Sequence, residues 1–265
     1  KLEIFYKDWK KIINYTKKKY PDLSIIACVY DDETLNFCAK QKIKHFKLHA
    51  SDINNYDLLE SLRKLKAKVN LSVGSSSMNE IKNAIKIIPK KNLCLMYGMQ
   101  LFPTDHNIIN LQNLNKLQKK FRVKIGYQDH TDPKKLLSYI LPLFSLGLGV
   151  QYVEKHITDL RSKKRADSEA AFTIKEYSKF IYLYKAVKQS VFSEKIKHDE
   201  ALAKYKNYYK KIVIAKKKIL PKQKFSKLNL SLKWSKIKKD CYFDIKKLLG
   251  KKSKKNFKIN EPIIL

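Results

Sequence analysis

Two histidines set the terms for the whole chain. His130 closes the run Val123-Lys124-Ile125-Gly126-Tyr127-Gln128-Asp129-His130-Thr131, and His156 closes Val150-Gln151-Tyr152-Val153-Glu154-Lys155-His156-Ile157-Thr158, with Asp167 shortly after. Each run is of strand type, and each ends on a histidine beside acidic or hydroxyl neighbours. About one strand–helix unit separates them. Polar, ligand-type side chains at the C-terminal ends of strands are how a (β/α) barrel builds an active site. A single buried histidine is usually a hydrogen-bonded core residue. Two of them at two strand ends shift the balance toward a metal site.

The elements that must position them read as an α/β chain. An amphipathic helix is expected over Phe5–Tyr20, with Phe5, Trp9, Ile12 and Ile13 on one side. Apolar strands follow at Leu23–Tyr30, His45–His49, Val69–Val73, Leu93–Tyr97, Val123–Gly126 and Val150–Val153. Helices are expected between them at Glu33–Lys40 (capped by Asp31 or Asp32), Asp57–Lys66, Asn79–Ile88 and Leu111–Phe121, and Thr173–Val191 closes the series. Short connections between alternating strands and helices imply a parallel sheet covered by helices. The polar residues Lys47, Ser72, Gln100, His130 and His156 fall at or after strand ends, on the face where a barrel places its chemistry. Only about six strands are visible, and a closed barrel needs eight.

Beyond Phe192 the texture changes. Residues 193–206 read as a charged, helical linker. Short β-prone runs follow at Ile212–Ala215, Leu228–Leu232 and Lys258–Leu265, with a turn at Pro221–Lys224. The expected domains are therefore 1–192, a partial barrel, and 207–265, a small β-rich domain.

The net charge of +34 suggests nucleic acid, but only Arg63, Arg122, Arg161 and Arg165 are arginines. Arginine is the residue for bidentate phosphate and base contacts. A lysine-, asparagine- and isoleucine-rich composition is what an AT-rich genome produces unselected. No specific nucleic acid is expected as a partner. Cys28, Cys38, Cys94 and Cys241 show no paired spacing, which suits a reducing compartment. The uncharged run Leu136–Val153 contains Pro142, Gly147 and Gly149 and leads into Glu154-Lys155-His156. It reads as buried helix, turn and strand, not as a membrane span. With no apolar leader in Lys1–Tyr20, a cytoplasmic protein without a membrane partner is expected.

Several segments, taken in order, resemble the sialic acid synthase family. Phe46-Lys47-Leu48-His49-Ala50-Ser51-Asp52 resembles its Lys-Ile-Gly-Ser-Gly-Glu segment, and Leu71-Ser72-Val73-Gly74 resembles Leu-Ser-Thr-Gly. Leu101-Phe102-Pro103-Thr104 is similar to Tyr-Pro-Thr. Gly126–Thr131 is similar to Gly-Leu-Ser-Asp-His-Thr, and Glu154–Thr158 to Glu-Lys-His-Phe-Thr. The resemblance implies a TIM-type (β/α) barrel followed by an antifreeze-like domain, and a homodimer at full length. It implies condensation of phosphoenolpyruvate with an N-acylated hexosamine such as N-acetylmannosamine into a nine-carbon sugar acid. By the same resemblance His130 and His156 would bind Mn²⁺ or Mg²⁺. Lys47 and Ser72 would hold phosphoenolpyruvate, with Gln100, Phe102 and Gln128 lining the substrate site. Asp52, Glu154 and Asp167 would bind sugar hydroxyls or move protons.

This sequence also departs from the family. Thr-Pro-Phe appears as Cys28-Val29-Tyr30, and hydroxyls are lost at Ala50 and Val73. Gln100 and Gln128 replace an asparagine and a serine, and Trp234 stands where the family has an arginine. Lost donors in a closed site cost about 1–3 kcal/mol each. The family's first two strands have no counterpart before Phe5. A truncated barrel, inactive as isolated 265 residues, is therefore expected, and a degenerate binder of sugar or a partner is the alternative.

Overall fold

Leu93–Tyr97 is the middle of the structure, a strand in which every residue is buried. An all-apolar strand of this kind needs neighbours on both edges, and it has them. The computed structural model describes residues 4–161, 165–192, 198–235 and 240–264. In chain order the first unit, Lys1–Phe192, runs α1 (Tyr6–Lys19), β1 (Ala27–Val29), α2 (Asp32–Lys40), β2 (His45–Leu48), α3 (Tyr56–Lys64), β3 (Lys68–Ser72), α4 (Met78–Ile87) and β4 (Leu93–Tyr97). It continues with α5 (Gln112–Phe121), β5 (Lys124–Asp129), α6 (Leu137–Gly147), β6 (Tyr152–Lys155), β7 (Ile157–Thr158), β8 (Phe172–Thr173) and α7 (Ile174–Phe192).

Strands β1 to β6 form one sheet in chain order, and all pairs are parallel. That order winds in one direction, as in a barrel wall. The sheet is open: its edges are β1 and β6. Helices cover one face and bury Leu35, Leu58, Leu59, Leu62, Ile81, Leu114 and Leu117 against Phe46, Leu48, Leu71, Leu95 and Tyr127. The helix starts are fixed locally. The Asp31 carboxylate accepts from the Thr34 amide at 2.6 Å, and Ser77 and Glu80 form a reciprocal capping box at α4.

Three boundaries differ from the expectation drawn from sequence. The strand expected at Leu23–Tyr30 shrinks to Ala27–Val29, because only these residues find partners, Phe46–Leu48 of β2. Leu23 and Ile26 stay exposed. The strand expected at Val150–Val153 starts at Tyr152, since Gly149 (φ +83°) is still in the turn after α6. The strand expected at Val123–Gly126 runs on to Asp129. Both shifts carry polar residues into the sheet, so Gln128, Asp129, Glu154 and Lys155 are strand residues. The small pair β7–β8 has no counterpart in the sequence reading. Among the described residues no helix is long and apolar enough to cross a membrane.

The second unit, Ser193–Leu265, contains α8 (His198–Tyr208) and the antiparallel pair β9 (Ile212–Ala215) and β10 (Leu230–Lys233). Its core is Val213, Ala215, Ile219, Phe225, Leu230, Leu248, Phe257 and Ile263. Of the connection expected at 193–206, residues 193–197 lie outside the described residues and the rest belongs to α8. The strand expected at Leu228–Leu232 begins at Leu230. The run expected at Lys258–Leu265 makes only a bridge, Ile214 to Pro262. The Trp234 indole donates to the Tyr208 carbonyl at 2.8 Å.

Candidate active site

Side chains alternate between the two faces of a strand. The apolar set packs under the helices. The cross-strand register therefore puts Cys28, Lys47, Asn70, Met96, Ser72, Gln128 and Glu154 on the opposite face. The Lys47 Nζ meets Glu154 Oε1 at 2.6 Å, although β2 and β6 are four strands apart in the sheet. Neighbouring strands lie about 4.8 Å apart, so a flat sheet would hold β2 and β6 roughly 19 Å from each other. Two side chains cannot span that gap. The contact requires a strongly curled sheet whose concave face gathers these residues.

The strand ends converge closely enough to exclude side chains at two glycines. A Cβ at Gly74 would lie 1.6 Å from the Gly98 carbonyl oxygen, and one at Gly98 would lie 2.1 Å from the Gln128 carbonyl oxygen. His130 follows directly. Its Nδ1 lies 2.7 Å from the Met99 carbonyl oxygen. A carbonyl can only accept, so Nδ1 carries the proton and Nε2 keeps its lone pair. The His156 ring is 5.2 Å from the His130 ring, and Phe102 packs on both, at 4.5 Å and 5.5 Å. Burial pushes both histidines below their ordinary pKa. The Asp167 charge, on a left-handed residue (φ +61°), opposes that shift at His156. Both imidazoles are thus neutral near pH 7 and fit to bind a metal.

Among the described residues, no three His, Cys, Asp or Glu side chains come together as a ready-made metal site. The arrangement brings together two neutral imidazoles and no third ligand-type side chain among the described residues.

Glu154 is the electrostatic hub. Burial alone would raise its pKa, but the Lys47 charge and hydrogen bonds from Lys47 and from Gln128 (3.0 Å) outweigh burial, and the net shift is down. Glu154 is therefore an anion at neutral pH. Three buried polar atoms on β3, on β5 and after β4 have no partner among the described residues: Ser72 Oγ, Gln128 Oε1 and Gln100 Nε2; of these residues Gln128 bonds Glu154. Leaving each such group unsatisfied costs about 1–3 kcal/mol. That cost is removed by a polar ligand that reaches them.

All ten residues singled out from sequence lie at this end of the sheet or on the segments leading from it. Asp52 is the least engaged, in the turn after β2, where it accepts from Ser51 Oγ at 2.8 Å. Four contributors were passed over. The Met99 carbonyl gives no sequence signal. Tyr30 has its hydroxyl pushed up to about 12, by burial first and then by its Cys28 contact. Asp129 and Lys155 form an ion pair with side chains 0% and 1% exposed. Asp129 also accepts from Tyr127 Oη and Thr131 Oγ1, each at 3.0 Å. Their signal was their placement, since each directly precedes one of the two histidines.

Comparison with known proteins gives a consistent result. The family model described as the NeuB family matches residues 1–216. The N,N'-diacetyllegionaminic acid synthase of Campylobacter jejuni is 26% identical over 268 residues, 99% of this chain and 78% of that protein. The pseudaminic acid synthase of Helicobacter pylori is 27% identical over 173 residues, 64% of this chain, and there the match spans only 48% of the relative. Among solved structures, the N-acetylneuraminic acid synthetase of Leptospira borgpetersenii, in complex with citrate, superposes with a TM-score of 0.67 at 25% identity. It covers 78% of this chain and 72% of that one.

Proposed function

Because the chain belongs to the NeuB family, we propose that it condenses phosphoenolpyruvate with an N-acylated hexosamine to give a nine-carbon sugar acid and phosphate. In this reading the curled sheet is part of a (β/α) barrel, the second unit is an antifreeze-like domain, and the working form is a homodimer. The observation that carries the proposal is the Lys47–Glu154 pair, bonded by Gln128, on the sheet face where the register also puts Ser72, with the buried atoms Ser72 Oγ, Gln100 Nε2 and Gln128 Oε1 left unpartnered. A lysine with an unsatisfied Ser72 hydroxyl and Gln100 amide N–H at the same end of the sheet suits a small, oxygen-rich anion, and the Gln128 amide oxygen can accept from a hydroxyl or water.

Lys47, as a point charge, and Ser72 hold the phosphate and carboxylate of phosphoenolpyruvate. Gln100 and Gln128 supply amide hydrogen bonds, and Phe102 walls the site beside the histidines. The methylene carbon of phosphoenolpyruvate attacks the aldehyde carbon of the open-chain sugar and forms the new C–C bond. Water then adds to the resulting oxocarbenium-like carbon. Glu154, anionic at neutral pH, accepts the proton of that water; the former aldehyde oxygen, which took the carbonyl electron pair, becomes a hydroxyl by taking up that proton, and the C–O bond to phosphate breaks as the ketone forms, its hydroxyl proton leaving with the phosphate. Asp52 and Asp167 bind sugar hydroxyls. His130 and His156 are the residues that would hold Mn²⁺ or Mg²⁺, which when bound supplies Lewis-acid polarisation of the aldehyde oxygen.

A second reading is a member that binds without turnover. The residues that favour it are Ala50, Val73 and Trp234, each a departure from the family pattern that the sequence resembles. The two readings separate in one assay. The protein is supplied with phosphoenolpyruvate, Mn²⁺ and N-acetylmannosamine, then with a panel of N-acylated hexosamines, and inorganic phosphate is measured. Sugar-dependent release supports condensation. No release with any sugar, while Mn²⁺ and phosphoenolpyruvate still bind, supports the second reading.

A further inference from the structure

The net charge of +34 is not spread evenly along the chain. Residues 193–265 hold 23 lysines, no arginine and 6 acidic residues. Just over a quarter of the chain thus carries half of its net charge. Compositional drift toward lysine would load both units alike, so drift does not account for this half.

The second unit also concentrates its lysines in space. Segments 219–225 and 251–257 run antiparallel, with Lys222 N donating to Ser253 O at 2.7 Å, Phe225 N to Lys251 O at 2.9 Å and Phe257 N to Ile219 O at 2.9 Å. Phe225, Ser253 and Phe257 turn inward and are buried. Lys222, Lys224, Lys251, Lys252, Lys254 and Lys255 are all exposed on this ribbon. Lys224 stands directly opposite Lys252. Like charges placed opposite each other destabilise a ladder. Among the described residues none of these lysines is in an ion pair. Leu220 and Leu228, next to the ribbon in sequence, are 52% and 75% exposed.

We propose that this lysine ribbon docks the protein on an anionic lipid surface. A polyanion relieves the repulsion that the ribbon otherwise bears. A lipid surface fits better than a nucleic acid for two reasons. There is no arginine for bidentate phosphate or base contacts. The exposed leucines can enter the boundary between headgroups and acyl chains, as in interfacial anchors. Such docking needs no membrane-spanning helix. It adds a membrane partner that the sequence alone did not suggest, and it is independent of the condensation reading.

The test uses the full chain and co-sedimentation at physiological ionic strength with vesicles of phosphatidylcholine and phosphatidylglycerol in equal parts, and with phosphatidylcholine alone. Binding to the anionic vesicles only is expected. Each lysine near an anionic surface contributes roughly fivefold to affinity. The variant with Lys222→Gln, Lys224→Gln, Lys251→Gln and Lys252→Gln should therefore bind on the order of a hundredfold or more weaker. Its thermal midpoint should be unchanged or higher, because repulsion is removed, which separates lost docking from lost folding. Leu220→Ser with Leu228→Ser should weaken binding further. The proposal is overturned if wild type ignores anionic vesicles, if the glutamine variant binds them as wild type does, or if duplex DNA at physiological ionic strength is bound more tightly than the anionic vesicles.

Discussion

At the scale of residues, the candidate site depends on imidazoles kept neutral and a carboxylate kept charged. Burial lowers the pKa of His130 and His156 from the ordinary 6.5. Below pH 6.5 the unfolded chain takes up protons on these rings that the folded chain refuses. Stability is therefore fully present above that pH, falls as pH drops below it, and stops falling on their account below the folded pKa values. Urea midpoints measured from pH 8 to pH 5 should show the decline, and His130→Gln should flatten it; a midpoint that rises over the same range would contradict the burial account. Much of this scale was legible in sequence, because His130, His156, Lys47 and Glu154 announce their chemistry by type and place. The tautomer of His130 was not, since it is set by the Met99 carbonyl, and a main-chain oxygen leaves no mark in a sequence.

At the scale of elements, β5 and β6 carry the two histidines, and the buried Asp129–Lys155 pair ties them together at the position before each one. Lys155 lies 4.1 Å from the Phe172 ring centroid, which extends the tie to β8. Removing one partner leaves an uncompensated buried charge. Lys155→Met should therefore lower unfolding free energy by about 3–5 kcal/mol. Asp129→Asn combined with Lys155→Met should recover much of that loss, because no charge is then stranded. Chemical denaturation of the two variants checks the difference, and equal losses would contradict it. Sequence periodicity located the strands and helices of this unit but misplaced β1, β5 and β6 by a few residues. Apolar runs end where the side chains turn polar, whereas β5 and β6 continue through Asp129 and Lys155 because their backbones still find partners. The pair itself links positions 26 residues apart, beyond the reach of local pattern.

At the scale of the molecule, an open parallel sheet leaves backbone groups of β1 and β6 unpaired at its edges. A cavity of about 740 Å³ beside β1 is lined by apolar side chains including Trp9, Ile13, Ile25, Ile26 and Phe37. Exposed apolar edges pair with other chains. Ile26→Lys should reduce concentration-dependent light scattering of the isolated 265 residues, and an unchanged or increased signal would show that aggregation starts elsewhere. The winding order of this sheet was legible from the regular alternation of strands and helices. Its curl was not, because it takes contacts across four strands, Lys47–Glu154 and His45–Tyr152, to reveal how far the sheet bends. The sequence reading also treated the lysine excess as uniform, whereas its effect depends on the antiparallel pairing of segments 219–225 and 251–257.

The central claim is that the strand-end cluster joins phosphoenolpyruvate to an N-acylated hexosamine. The most direct measurement is inorganic phosphate released from phosphoenolpyruvate by the protein, with Mn²⁺ and a panel of hexosamines. Wild type is compared with His130→Ala and Glu154→Gln. Release should require the sugar and should fall by about a hundredfold or more in each variant, the scale of a lost proton-transfer or polarising group. Release that proceeds without sugar, or that survives both substitutions undiminished, would contradict the assignment.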